Sequence, residues 1–348
     1  MLSAIVVVGP EIREGAKSGF MSEEARAQAS LSPARVQRAT PLVCVEVLGR
    51  SVLDRMIEDL QRAGVDMISV IGNVPFAPAC DGSGSRLKIE MCSAEEAWRR
   101  ATQQLMSNRE SGVEGSLVVR LGAYVDLNLE NALQFHREHG QVVTRAFEPE
   151  KEEPLDMWIT DPSRLTDGGD ILTILGVVEP ARYVAQGYAN RLDDPRDLRR
   201  LVVDGFTSRC NLRPQVSEIR PGVWMDEGAQ VDRSARIVAP AYIGRGVRIA
   251  EECLITRCTN IESNCEVDYG TVVEDSSILS NTYLGFGLDI SHSIVDGNHL
   301  LNLERGVTME IADPCVIRQN TNPRQDQDCQ LSVASDFGGA QVAPGKEN

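Results

Sequence analysis

An α/β domain followed by a β-solenoid is the fold class that this sequence predicts. The 348 residues allow about two domains of roughly 150 residues each. In the first two thirds, apolar runs of strand length alternate with segments of helical periodicity. In the last third, aliphatic residues return at every sixth position. We therefore predict an α/β domain over residues 1–215, a solenoid over 216–319 and a disordered tail over 320–348.

Four apolar runs predict the strands of the first domain, because continuous apolar runs of this length are typical of strands buried on both faces. They are Ala4–Val8, Met67–Ile71, Ser116–Leu121 and Val142–Ala146. Three helices are predicted between them: Val52–Leu60, a helix from Ser93 to Met106 with Glu96 as its capping-box partner, and Leu129–His136 closed by Gly140. The alternation of strands and helices predicts a parallel, doubly wound sheet.

A six-residue repeat predicts the second domain. Its large positions are Val231, Ile237, Ile243, Ile249, Ile255, Ile261, Val267, Val273 and Leu279. Four residues after each stands a residue that is usually small: Ala235, Ala241, Val247, Cys253, Thr259, Cys265, Thr271, Ser277 and then Tyr283. This period fits short strands joined by tight corners, with one large and one small side chain turned inward on each of three sides. One coil then takes 18 residues, and each aliphatic side chain stacks on its equivalent in the next coil.

The solenoid repeat also accounts for several of the nine cysteines. They are scattered without a C-x-x-C pair, which disfavours a metal site. Cys253 and Cys265 fall on small inward positions, where cysteine behaves as a small hydrophobe. Cys258 precedes such a position and is expected at a corner or facing outward. We predict reduced thiols in a cytoplasmic protein. Past Leu279 the repeat loses phase over Leu284–Asn298, which predicts further coil or a closing cap.

Charge and hydropathy exclude two classes of partner. Asp and Glu number 51 against 35 Lys and Arg, for a net charge of −16. Nucleic acids and anionic membranes are bound mainly through clustered basic residues, so we expect neither. The sequence has no run of about 20 apolar residues that could form a spanning helix.

Three stretches of the first domain carry a family resemblance: Thr40–Asp66, Gly122–Gly140 and Arg182–Asp204. Together with the repeat, they resemble the sugar-1-phosphate nucleotidyltransferases, such as mannose-1-phosphate guanylyltransferases. That family joins a Rossmann-like (GT-A-like) catalytic domain to a C-terminal left-handed β-helix of hexapeptide repeats. The resemblance covers residues 1 to about 310, and the left-handedness follows from it alone.

The first departure from that family lies after the first strand, where the family has a Gly-rich loop ending in Arg. This chain keeps Gly9 and Arg13. However, Pro10 removes a backbone N–H, and Glu11 and Glu14 put negative charge where the resemblance places phosphates.

Three further departures concern the cations of the reaction, which neutralise the anionic reactants. Thr40 stands where the family has Lys, and Gly122–Ala123 stands where it has a Gly-Asp pair whose Asp binds metal. The second metal-binding Asp aligns with Arg191. We therefore predict no catalytic residue, no metal and no cofactor, and a remnant substrate site at Gly9, Arg13, Gly122 and Arg191.

Two residues have alternative interpretations. Arg191 either pairs with a carboxylate or binds a phosphate, and the acidic run Glu148–Glu153 is interpreted as an exposed loop. His292 lies in the irregular end of the repeat. Hexapeptide-repeat acyltransferases use a solenoid His as general base, but no second catalytic group is evident beside it in the sequence.

Three functional hypotheses follow. The favoured one is a catalytically degenerate nucleotidyltransferase-family protein, acting as a binding, regulatory or scaffold subunit in nucleotide-sugar or polysaccharide synthesis. The first alternative is an active enzyme with an altered site, which would convert NTP and sugar 1-phosphate to NDP-sugar and pyrophosphate with Mg²⁺. The second is a hexapeptide-repeat acyltransferase. The expected partners are a nucleotide or sugar phosphate, and either further copies of the chain or another protein.

Overall fold

The computed structural model describes residues 1–9, 40–74, 85–165, 171–177 and 179–320. The chain divides into two compact units, Met1–Ser217 and Glu218–Asn348. The first unit is mixed α/β with a largely parallel sheet, and the second consists of strands gathered mostly into parallel sheets. Arg13 and its acidic neighbours lie outside the described residues, as does the predicted tail from residue 321 onward.

A seven-stranded sheet of order β10-β8-β9-β6-β1-β4-β5 organises the first unit. Strand β9 runs antiparallel to both of its neighbours, so the expectation of a wholly parallel sheet is wrong at that strand. Two two-stranded ribbons, β2-β3 and β7-β11, complete the unit. The strands are β1 Leu2–Val8, β2 Glu46–Val47, β3 Arg50–Ser51, β4 Met67–Gly72, β5 Arg86–Met91, β6 Gly115–Arg120, β7 Ala123–Val125, β8 Val143–Phe147, β9 Pro154–Thr160, β10 Ala181–Val184 and β11 Ala189–Arg191.

The helices of the first unit begin and end on local capping signals. Ser51 and Asp54 form a capping box at the start of the first helix. The third helix ends at Gly140, whose φ of 61° suits a glycine C-cap. Ser93 precedes the second helix, but its side chain makes no capping hydrogen bond, so the predicted capping box with Glu96 is wrong. The α-helices are α1 Val52–Arg62, α2 Ala94–Glu110, α3 Leu129–His139, α4 Ile171–Val177 and α5 Pro195–Phe206, and the 3₁₀ helices are Leu42–Cys44 and Pro162–Arg164.

Three sheets form the second unit, and each takes every third strand in parallel register. One complete coil therefore visits the three sheets in turn. The strands are β12 Glu218–Arg220, β13 Val223–Met225, β14 Gln230–Val231, β15 Arg236–Ile237, β16 Ala241–Ile243, β17 Arg248–Ile249, β18 Leu254–Thr256, β19 Thr259–Ile261, β20 Glu266–Val267, β21 Val272–Glu274, β22 Ser277–Ile278, β23 Thr282–Leu284, β24 Asp289–Ser291, β25 Ser293–Asp296, β26 His299–Asn302, β27 Val307–Glu310 and β28 Ile317–Gln319.

The length of a coil changes once along the stack. Ala241 pairs with Thr259, 18 residues on, but Asn260 pairs with Ser277, only 17 residues on. The difference lies at a corner, where the pair Arg257–Cys258 with positive φ is followed one coil later by Asp275 alone. Because one residue is missing there, the inward positions from Ile278 to Ile290 move by one. The single-residue corner at His292 moves Val295 by one more.

That shift corrects the end of the predicted repeat. The aliphatic positions from Ile237 to Val273 are buried in the core as predicted, including Ile249 at 3% exposure. The next core residue is Ile278 rather than Leu279. The predicted small positions move in the same way. Ser276, not Ser277, donates to the Ile290 carbonyl as Thr259 does to the Val273 carbonyl, and Thr282, not Tyr283, is fully buried.

The stack ends in antiparallel strands. Strands β25, β26 and β27 form an antiparallel meander, and β28 runs antiparallel to β23. Cys253 and Cys265 are buried at their inward positions, and no disulfide joins any two of the seven cysteines in the described part of the chain. No helix within the described ranges is long and apolar enough to cross a membrane.

Candidate functional site

Two of the predicted site residues lie at the same edge of the large sheet. Gly9 follows the end of β1, and Gly122 follows β6 after one intervening residue. The two strands are parallel neighbours, and the Leu121 N–H donates to the Val7 carbonyl at 2.9 Å. The carboxyl ends of parallel strands are the usual place of ligand sites in such sheets. The structure therefore places Gly9 and Gly122 at one edge of the sheet.

Arg191 reaches this region from the β7-β11 ribbon. In the antiparallel register of that ribbon, Arg191 is directly opposite Ala123. The Leu192 N–H extends the pairing by donating to the Gly122 carbonyl at 3.1 Å. These are the two positions at which the resemblance places metal-binding carboxylates. The chain puts a methyl group at one and a guanidinium at the other.

Carboxylates hold the Arg191 guanidinium. Its Nε donates to Glu148 Oε1 at 2.5 Å, and its Nη2 lies 3.2 Å from Glu153 Oε2. Burial disfavours the charge of Arg191, but the hydrogen bond and the attraction of the two glutamates outweigh burial and raise its pKa. The interpretation of Arg191 as a carboxylate partner is confirmed. Glu148, in contrast, is buried at 8% exposure, so that end of the predicted exposed loop is wrong.

A second group of arginines, which sequence reasoning missed, lies beside Gly122. Arg120 Nε donates to Asp156 Oδ2 at 2.5 Å, and Arg145 Nη2 lies 3.5 Å from Asp156 Oδ1. A Cβ atom on Gly122 would lie 3.0 Å from Arg120 Nη1, so a glycine here leaves room for the guanidinium. The guanidinium groups of Arg120 and Arg145 thus share the carboxylate of Asp156 beside Gly122. Nothing local in the sequence links Arg120 to a partner 36 residues away.

The donor set does not fit Mg²⁺, which prefers carboxylate and water oxygens in octahedral geometry. Ala123 has no ligand atom, and Arg191 carries a positive charge into the position opposite. The nearby carboxylates Glu148 and Asp156 already neutralise arginines. Among the residues that the structure describes, no group of three His, Cys, Asp or Glu side chains could hold a metal ion.

A cleft of about 330 Å³ lies beside Arg191 and carries both signs of charge. On one side of it, Arg200 Nε and Arg209 Nη1 lie 3.8 and 3.4 Å from the buried carboxylate of Asp204. Tyr188 donates its hydroxyl to Asp204 Oδ2 at 2.6 Å, and burial together with this bond raises the pKa of Tyr188. The phenol therefore stays neutral. Because two arginines share one carboxylate, this wall of the cleft has positive charge for an anion.

The second unit holds a separate polar pair at one of its corners. His292 Nδ1 lies 2.7 Å from Asp275 Oδ2. The two residues are 17 positions apart, one coil in this part of the stack, and both have positive φ, 48° and 44°. The expectation that His292 lacks a partner group is wrong. The 17-residue spacing is the signal that would have found Asp275, but it is hidden by the 18-residue period that precedes it.

No family model matches the sequence, and no curated protein was found to be similar to it. The family resemblance therefore rests on the sequence alone.

Proposed function

We propose that this chain is a nucleotidyltransferase-family protein that has lost the metal-dependent reaction. In this proposal a Rossmann-like (GT-A-like) domain is followed by a left-handed β-helix. The protein would act in the cytoplasm as a binding, regulatory or scaffold subunit of nucleotide-sugar or polysaccharide synthesis. The mixed sheet of the first unit and the parallel coils of the second are compatible with this architecture.

The observation that carries the proposal is the position of Arg191 opposite Ala123. Ala123 has no ligand atom, and Arg191 occupies the second position with its guanidinium paired to Glu148 and Glu153, so neither position supplies an oxygen ligand for a divalent ion. Arginine does not lose its proton in proteins, so no accessible pH turns this position into a metal ligand. Losing one electrostatic contact to a transition state typically lowers the rate by about 10²–10³. Here the Lys and both metal-binding carboxylates of the family pattern are replaced together, by Thr40, Ala123 and Arg191.

Retained binding is supported by the cleft beside Arg191. Arg200 and Arg209 are both more than 70% exposed, and they supply the charge-assisted donors that phosphate groups bind. Nucleotides and sugar phosphates are therefore the ligands that we propose for this cleft. Their affinity should not depend on Mg²⁺, because the cations belong to the chain.

Calorimetric titration and a pyrophosphate assay on the full chain test the two halves of this proposal. NTPs, NDP-sugars and hexose 1-phosphates are titrated with Mg²⁺ and with EDTA. We expect at least one of them to bind with equal affinity in both, no pyrophosphate release from any NTP and hexose 1-phosphate pair, and no change in melting temperature with Mg²⁺. Arg200→Gln with Arg209→Gln should weaken binding. The matched control is Arg196→Gln, on the same helix but outside the cleft.

Each half can fail separately. EDTA-sensitive pyrophosphate release by the parent chain would overturn the loss of activity and establish the altered-enzyme alternative. Absence of binding by every ligand would overturn the proposed binding role. Ala123→Asp alone should not restore activity, since Arg191 and Thr40 remain.

The His292–Asp275 pair favours the acyltransferase as a second candidate. In that reaction an acceptor hydroxyl or amine attacks an acyl thioester, the carbon–sulfur bond breaks, and an ester or amide forms. Asp275 would hold the imidazole by Nδ1, so that Nε2 takes the acceptor proton and returns it to the leaving thiolate. Thiol release that needs an acceptor and is abolished by His292→Gln would support this candidate, and a parent chain without thiol release would exclude it for the donors used.

A further inference from the structure

The eight-stranded sheet of the second unit ends in an open edge. Its last strand is β27, Val307–Glu310, which pairs antiparallel with β26. On its other side, β27 pairs with no strand in the described part of the chain. Within the described residues this side of β27 is unpaired, and another strand placed there would satisfy its backbone groups.

The backbone groups that face this edge can be identified. The Ile311 N–H donates to the Asn298 carbonyl at 2.8 Å and continues the β26–β27 register. In an antiparallel pair, alternate residues direct their N–H and C=O groups toward the partner strand. Val307 and Met309 therefore face β26. Thr308 and Glu310 direct theirs to the open edge.

The side chains at this edge extend the core face of the sheet into solvent. Met309 is directly opposite Leu300, which belongs to the buried core of the second unit, so the two lie on one face. Leu300 is 8% exposed, whereas Met309 is 44% and Val307 46% exposed. A row of apolar side chains thus runs from the core to the edge and is left uncovered there.

Other sheet edges in this chain carry the protection that β27 lacks. At the opposite edge of the same sheet, β12 has Glu218 and Arg220 on either side of its one apolar residue, and its register is irregular. At the edge of the first unit's sheet, β5 carries Arg86 and Lys88. Charged residues and irregular register are the usual means by which edge strands avoid pairing. Strand β27 has a single charged residue, at its end.

We propose that β27 pairs with β27 of a second copy of this chain, antiparallel and about a two-fold axis at Met309. Thr308 of each copy then exchanges both backbone hydrogen bonds with Glu310 of the other, which satisfies all the groups at the edge. Met309 faces Met309, and Val307 faces Ile311. The register centred on Glu310 instead would oppose two glutamates, which is unfavourable. Such an interface is isologous, as in most homodimers.

The expected dimer is weak. Pairing of four-residue strands buries far less than the ~1,200–2,000 Å² of a stable interface. We therefore expect dissociation in the micromolar range. This inference is independent of the proposed nucleotide or sugar phosphate binding.

Sedimentation velocity of the full chain from about 1 to 300 µM tests the interface. The parent should shift from the 38.1 kDa mass of one chain toward twice that mass. Thr308→Pro removes the N–H that faces the edge and leaves the β26 pairing intact, so it should stay monomeric. Thr308→Val keeps the N–H and is the matched control, expected to dimerise like the parent.

A charge exchange tests the register itself. Directly opposed Cβ atoms lie about 5 Å apart, so Met309→Lys and Met309→Glu should each abolish dimerisation by repulsion across the axis. An equimolar mixture of the two variants should dimerise again. A parent that remains at 38.1 kDa throughout, or single variants that dimerise as the parent does, would overturn the proposal.

Discussion

The two units differ in where their charged side chains lie relative to the core. In the second unit, Arg236 and Arg248 are exposed on strands whose neighbouring inward residues, Ile237 and Ile249, are buried. In the first unit, Arg120 and Arg145 are mostly buried and share Asp156. The coils keep most of their charged side chains at the surface, and their buried Glu262 accepts a hydrogen bond from Asn260, two positions away, at 2.7 Å. In the first unit, by contrast, Arg120 is paired with a residue 36 positions away. The second unit is therefore sensitive to charge added at its core, and the first to charge left without its partner.

The largest expected effect is on the second unit. Ile249→Asp buries a carboxylate without a partner, which costs several kcal/mol, and should unfold that unit. Arg248→Asp changes the exposed neighbour on the same strand and is the control, with an expected change within about 0.5 kcal/mol. Thermal unfolding followed by circular dichroism measures both. An Ile249→Asp variant as stable as the control would show that the inward register is wrong.

The next effect breaks the pairing in the first unit. Asp156→Asn leaves Arg120 and Arg145 mostly buried without their shared carboxylate, and removing one partner of a buried ion pair costs about 3–5 kcal/mol. The matched control is Asp59→Asn, which removes a surface pair with Arg62 worth at most about 1 kcal/mol. Urea denaturation measures both. Equal destabilisation by the two variants would contradict the contrast between buried and surface pairs.

A smaller effect concerns backbone conformation alone. Gly140 has a φ of 61°, and nothing lies within 4 Å of the Cβ that a substitution would add. Gly140→Ala should therefore destabilise the first unit by about 1 kcal/mol through the strained backbone and not through a clash. Gly140→Asn should cost less, because Asn tolerates this conformation better. The order of the two midpoints in urea is the measurement, and a reversed order would count against this explanation.

The smallest effect is on the pH dependence of stability. Burial lowers the pKa of His136, whose Nδ1 lies 2.7 Å from Thr144 Oγ1. In the unfolded chain this histidine binds a proton near its ordinary pKa of 6.5, while the folded protein binds it only at lower pH. Its contribution to stability is therefore present above pH 6.5 and is lost as the pH falls toward the folded pKa. His136→Gln should flatten the denaturation profile between pH 7.5 and 5.5, and an unchanged slope would contradict the assignment.

The second unit could be predicted further from sequence than the first because each inward position repeats the same environment. The aliphatic spacing therefore predicted the inward-facing residues correctly as far as Val273. It failed at Ile278 because the number of corner residues, two at Arg257–Cys258 and one at Asp275, leaves no mark on the aliphatic pattern. Handedness is likewise not encoded in the spacing.

The first unit could be predicted less far from its sequence, because its contacts join residues that are distant along the chain. Glu148 stands in an acidic run that is typical of a surface loop, yet it is buried, and Arg191 pairs with it from 43 residues away. Strand β9 was missed although Leu155, Met157, Trp158 and Ile159 give it an apolar pattern. Nothing in that pattern shows that the strand lies antiparallel between β8 and β6. Ala123 and Arg191 were identified as departures from a family pattern, but that they face each other became evident only in the structure.

The positive charge opposite Ala123 belongs to the Arg191 side chain, so its presence does not depend on the concentration of any metal ion in the cell. A chelator cannot remove it, and its occupancy is one per chain at every metal concentration. Magnesium starvation or the release of magnesium from ATP changes nothing at this position. An anion at the proposed cleft site would therefore meet the same side-chain charges at every magnesium concentration.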